Sequence, residues 1–123
     1  MPLFRKDKFK TVPPLPSWEE IVEYMQGKEL KYFGNCVADV LYSHDRSRRI
    51  VVLKNDKAYY KVAYEEIRVL DEDEWVYFCN DPDRYPAWWE PVHSSINTKS
   101  FYGTKEEALN EVKYSYEYIN FFA

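Results

Sequence analysis

The sequence holds only three glycines, two histidines and two cysteines among 123 residues. With so few glycines, turns that need positive φ must be rare or must use Asn and Asp. There is no glycine-rich loop ahead of a helix; Gly103-Thr104 reads as a helix cap, not a phosphate cradle. There is no G-x-S-x-G elbow. His44 and His93 lie far apart, and neither has a second ligand at helical or C-x-x-C spacing, so no metal site is expected. Cys36 and Cys79 are too few for a disulfide framework. Both sit in apolar, strand-like runs and read as buried, reduced thiols. Cys79 with His93 is the best nucleophilic pair the chain offers, but a strand-buried thiol with only Arg84 nearby is inert. No apolar run approaches membrane-spanning length and the N-terminus carries no apolar signal segment. These absences predict a soluble, cytoplasmic protein with no cofactor and no membrane partner, more in keeping with a binding module than an enzyme.

Aromatic side chains, in contrast, are abundant. They make up 19% of the chain, with twelve tyrosines and four tryptophans. Large side chains with polar tips suit half-buried strands and interfaces alike. The hydrophobic fraction of 46% predicts a folded chain, and the length suits one domain. Net charge is −4, unevenly spread. Residues 1–16 carry Arg5, Lys6, Lys8 and Lys10 against Asp7, which leaves −7 on the remainder. An acidic body repels nucleic acid and attracts a basic partner. The Arg46, Arg48 and Arg49 cluster reads as a solvated hairpin tip, with nucleic-acid binding there a less favoured alternative.

Periodicity supplies the elements. Residues 1–16 form a basic, proline-rich lead-in; Pro13, Pro14 and Pro16 favour polyproline II, and P-P-L-P resembles ligands of proline-recognising modules. Residues 17–123 are expected to be a single α+β domain. A first helix is capped by Ser17 with Glu20, carries Trp18, Ile21, Val22 and Met25 on one face, and stops at Gly27. Period two then predicts strands over 32–43, 49–54, from Lys57 with a continuation at 67–70, and over 74–79. Residues 80–100 read as irregular, with a short extended piece near 88–93. A last helix runs from Thr104, with Glu107 in a second capping box, through Ile119. The expected fold is α+β: one antiparallel meander of four to five strands, with an N-terminal and a C-terminal helix packed on one face.

The segment N-D-P-D-R-Y-P-A-W-W-E-P, residues 80–91, is the best candidate site. Three prolines stiffen it. If it is extended at Trp88 and Trp89, their side chains point to opposite sides, one into the core and one outward. The expected interaction residues are Arg84, Tyr85, Trp88 and Trp89 as anchors, with Asp71, Glu72, Asp73, Asp81 and Asp83 steering a basic protein partner. Occlusion of that partner, in the manner of an immunity protein or antitoxin, is the leading expectation. The alternatives are a small enzyme or ligand-binding domain with a pocket between the sheet and the 80–100 loop, and nucleic-acid binding at Arg46–Arg49. A homodimer is open.

Overall fold

A computed structural model describes residues 12–93 and 101–123. The lysines and arginine of the lead-in, and residues 94–100 of the irregular segment, lie outside the described residues. The elements in order are α1 (Trp18–Met25), β1 (Cys36–Tyr42), β2 (Arg48–Lys54), β3 (Tyr60–Val69), α2 (Glu72–Phe78), β4 (Ala87–Pro91), α3 (Lys105–Val112) and α4 (Tyr116–Phe121). The strands form one antiparallel sheet in the order β1-β2-β3-β4. The α+β class and the antiparallel sheet are therefore as the sequence predicts; of the four to five strands expected, four are present among the described residues.

The caps explain why α1 starts and stops where it does. The Ser17 hydroxyl accepts from the Glu20 N–H at 3.2 Å. At the far end, Gln26 is the C-cap and Gly27 follows with φ 73°, a conformation that costs glycine least. The Gly27 N–H donates to the Tyr42 hydroxyl at 3.0 Å, tying the helix end to the sheet.

Residue parity in the strand register places the helices, and it corrects the expected one-face arrangement. Ile50 pairs with Tyr64 and Val52 with Val62, so these four share a face; Ala108 and Val112 of α3 pack against them. Ile67 pairs with Trp89 and Val69 with Ala87 on the opposite face; Ile21, Val22 and Met25 of α1 pack there. The helices therefore cover both faces. β2 requires this, because Ile50, Val51, Val52 and Leu53 are all buried, and successive strand residues point to opposite sides.

Five further expectations are corrected. Residues 74–79 are not a strand: Glu72–Phe78 is helical. Asp71 accepts from the Glu74 N–H at 2.8 Å, and Glu74 accepts from the Asp71 N–H at 3.1 Å. This reciprocal cap starts a helix in a run whose alternation also suited a strand. The fourth strand is instead Ala87–Pro91, within the segment read as irregular. The last helix is two: α3 ends at Val112, and Ser115 caps α4 by accepting from the Tyr118 N–H. The cysteines are not both buried. Cys36 is exposed at the sheet edge, Cys79 is half-buried at the end of α2, and both are free thiols. The strand from Lys57 and its separate continuation at 67–70 are instead one strand, Tyr60–Val69, unbroken for ten residues.

Candidate functional site

Acids are concentrated in three helix and turn segments, and Glu20 of the first meets Asp81 and Asp83 of the last around Tyr85 as an acidic pole. The outer side of α1 presents Glu19, Glu20 and Glu23, all exposed. Helix α2 begins with Asp71, Glu72, Asp73 and Glu74, also exposed. The turn after α2 presents Asp81 and Asp83; Asp81 accepts from the Asp83 N–H at 3.0 Å, which fixes the turn. Against these nine acids, residues 17–25 and 71–85 hold one base, Arg84, so the two stretches carry −8 of a chain whose total is only −4.

An aromatic pair joins the two stretches. The rings of Tyr24, on α1, and Tyr85, before β4, stack with centroids 3.8 Å apart at an interplanar angle of 17°. Lys28 Nζ lies 4.7 Å from the Tyr24 ring centre, and the Arg84 guanidinium 4.3 Å from that of Phe78. The Tyr85 phenol titrates above its ordinary value, first through desolvation and then through Tyr24 and Glu20. A groove of about 520 Å³ runs between α1 and the turn, lined by Tyr24, Met25, Lys28, Glu29, Asp81, Asp83, Arg84, Tyr85 and Ala87.

The structure thus brings Asp81, Asp83, Arg84 and Tyr85 together in one groove. It separates the remaining expected site residues. Asp71 spends its carboxylate on the α2 cap. Glu72, next to Asp73 in the first turn, lines a different groove with Val12–Leu15 and Trp75. Trp88 and Trp89 do point to opposite sides, as extended backbone requires. Trp89, 4% exposed, is core: its indole N–H donates to the Met25 carbonyl at 2.8 Å. Trp88 is half-buried on the α3 face, where its indole N–H donates to Glu90. Sequence reading missed Tyr24, Lys28 and Glu29. One signal was available: Tyr24 lies off the apolar stripe of α1, four residues after Glu20, on the acidic side.

Behind this pole, on the same face of the sheet, lies a buried ion pair. Arg49 Nε donates to Glu65 Oε1 at 2.6 Å, and both side chains are almost wholly buried. The rest of the guanidinium donates to the Lys28 and Glu29 carbonyls at 2.6 and 2.8 Å. The Tyr32 hydroxyl reaches both Glu65 oxygens at 2.9 Å, and the Arg49 guanidinium lies 4.3 Å from the Trp89 ring centre. Glu29, at φ 56°, is held in place from two sides: its carbonyl by Arg49 and its carboxylate by the Trp89 N–H. With its donors committed in this way, Arg49 is a strut for residues 28–32.

This alters the basic hairpin as well. Of its three arginines only Arg46 is exposed; Arg49 is core, and Arg48 pairs with Glu66 and lies 3.7 Å from the Phe121 ring centre. Among the described residues no group of three or more His, Cys, Asp or Glu is placed to hold a metal ion, and no helix is long and apolar enough to cross a membrane. Comparison with family models, with curated proteins and with solved structures finds no match for the chain.

Proposed function

We propose that the protein is a docking module that holds a basic protein partner on the acidic pole and acts by occluding it. The observation that carries this reading is the stacked Tyr24–Tyr85 pair set within the pole, beside Asp81 and Asp83. Paired aromatic rings supply contact area at small conformational cost, and surrounding like charges steer a partner of opposite sign. The groove is open, and its polar groups are solvated carboxylates and cations. That suits a protein surface better than a small substrate, which needs a concave, mostly apolar enclosure. An immunity-like or antitoxin-like role against a basic protein is the version we favour, by chemistry and not by kinship.

Affinity capture tests it, comparing the full chain with Tyr85→Ala and with Asp81→Asn/Asp83→Asn. The expected catch is a basic protein. Tyr85→Ala should lose it with only a small change in thermal melt, because Tyr85 is only half-buried. The double substitution should slow association and flatten its salt dependence. An acidic catch, or one indifferent to all three positions, rules the reading out.

A further inference from the structure

The proline-rich segment ahead of α1 is seated on the protein itself. The Trp75 indole N–H donates to the Pro13 carbonyl at 2.8 Å. A groove of about 610 Å³ lies between that segment and α2, lined on the helix side by Glu72, Trp75 and Val76. This reproduces the chemistry by which aromatic-lined grooves take polyproline II peptides. Such a peptide has no internal hydrogen bonds, so its carbonyls are open to a donor on the groove wall. Pro13, Pro14 and Pro16 preset that conformation here. The attachment is slight. Among the described residues, 12–16 make no main-chain hydrogen bond to a strand or helix, and Pro13 and Pro14 are exposed.

We infer that the Glu72, Trp75 and Val76 surface of α2 is a binding site for an extended proline-rich segment of another protein, covered in cis by Val12–Leu15, which form the groove's other wall, until such a segment displaces them. The site is separate from the Tyr24–Tyr85 groove and does not depend on it. Occupation in cis sets the threshold. A short tether holds its ligand at an effective concentration in the millimolar range, so a weak peptide in trans competes only when the strap is released.

The test uses the ¹⁵N-labelled full chain, with the Trp75 indole resonance as reporter and the synthetic peptide TVPPLPS, residues 11–17, as probe. Trp75→Phe assigns the resonance by deleting it. Val12→Asp/Leu15→Asp releases the strap and leaves the helix side of the groove, Glu72, Trp75 and Val76, intact. In that variant the indole resonance should shift, and added peptide should return it saturably to its original position. The wild type should need peptide at millimolar level or above. A Trp75→Phe version of the released chain, followed through the Val76 amide, should bind the peptide roughly two- to tenfold more weakly, the loss expected for one hydrogen bond. Four results overturn the inference. One is an indole resonance indifferent to strap release. Another is a released chain that ignores the peptide. The third is loss of the folded state in both the double variant and the milder Leu15→Ser, which makes the strap part of the core. Sedimentation of the wild type as a dimer that the double variant abolishes gives the groove to a second copy, and likewise overturns the assignment to another protein.

Discussion

The two faces of the sheet are built by different means. The α3 face is held by apolar packing: Ile50, Val52, Val62, Tyr64, Ala108 and Val112 form its buried cluster. Its ion pairs, Lys105 with Asp39 and Arg48 with Glu66, all keep partial contact with water, their side chains 26–42% exposed. The α1 face also has an apolar cluster, but its ion pair is buried, with Arg49 and Glu65 wedged between the sheet and residues 28–32. The reason is in the chain connections. On the α3 face a helix arrives with its main-chain groups already bonded. On the α1 face an irregular segment crosses the sheet, and its Lys28 and Glu29 carbonyls need donors. A buried guanidinium supplies several at once, which a buried hydrocarbon cannot.

The sharpest way to break this comparison is Arg49→Met. It leaves the buried Glu65 carboxylate with only the Tyr32 hydroxyl and takes the donor from two carbonyls, and removal of one partner of a buried pair costs about 3–5 kcal/mol. Urea unfolding should show that loss. Adding Glu65→Leu should restore only part of it, because the Lys28 and Glu29 carbonyls stay unbonded. Full recovery would mean that the pair has no part in holding 28–32. The equivalent change on the other face, Ile50→Val, should cost only about 0.5–1.5 kcal/mol.

The tryptophans sharpen the same contrast. Trp89→Phe keeps a ring but removes one of two donors to the Met25 carbonyl, the other being the Lys28 N–H at 3.1 Å, a loss of about 0.5–1.5 kcal/mol. Trp88→Phe should change the urea midpoint by less than half as much, since its partner Glu90 is only half-buried and can turn to water. Equal effects would contradict the assignment of the two rings to core and flank.

How far this was readable from sequence depends on which signal each element carried. The α1 helix was legible because its caps and its stripe agree. The strands β1 to β3 were legible because period two persists through them. Opposite-facing side chains at Trp88 and Trp89 followed from extended backbone alone. Helix α2 was hidden because E-W-V-Y-F-C alternates like a strand, and only the Asp71–Glu74 cap tells otherwise. Arg49 sat inside a run of apolar residues and was read as solvated with its neighbours; no local pattern names Glu65 as its partner sixteen residues away. The acidic and aromatic character of the candidate site was legible. Its assembly was not, because Tyr24 meets Tyr85 only once α1 packs against β4.

Alkaline titration compares the faces through one phenol on each. Tyr32 bonds to Glu65 and Tyr64 to Glu66 at 2.9 Å. Both phenols titrate far above the ordinary value, first by desolvation and then by the neighbouring carboxylate. The unfolded chain releases these protons near pH 10, while the folded chain keeps them. Their contribution is therefore complete below about pH 10 and is lost as pH rises beyond it. Urea midpoints from pH 9 upward should fall less steeply in Tyr32→Phe than in wild type, and less steeply again in Tyr32→Phe/Tyr64→Phe. Parallel slopes would show that neither phenol holds its proton in the folded state.

The smallest expected effect is at the surface ion pair. Lys105 Nζ lies 3.5 Å from Asp39 Oδ2, with the two side chains 38% and 42% exposed. At that exposure water screens the attraction, and ordering the lysine stem offsets much of what remains, so such pairs contribute about 0–1 kcal/mol. Lys105→Ala should thus barely move the urea midpoint, and 0.5 M salt should remove any difference from wild type. The same salt should leave the loss from Arg49→Met almost unchanged, because mobile ions do not reach a dry pair. If salt erased both losses alike, the Arg49–Glu65 pair would be solvated, and the contrast between the two faces would fail at its strongest point.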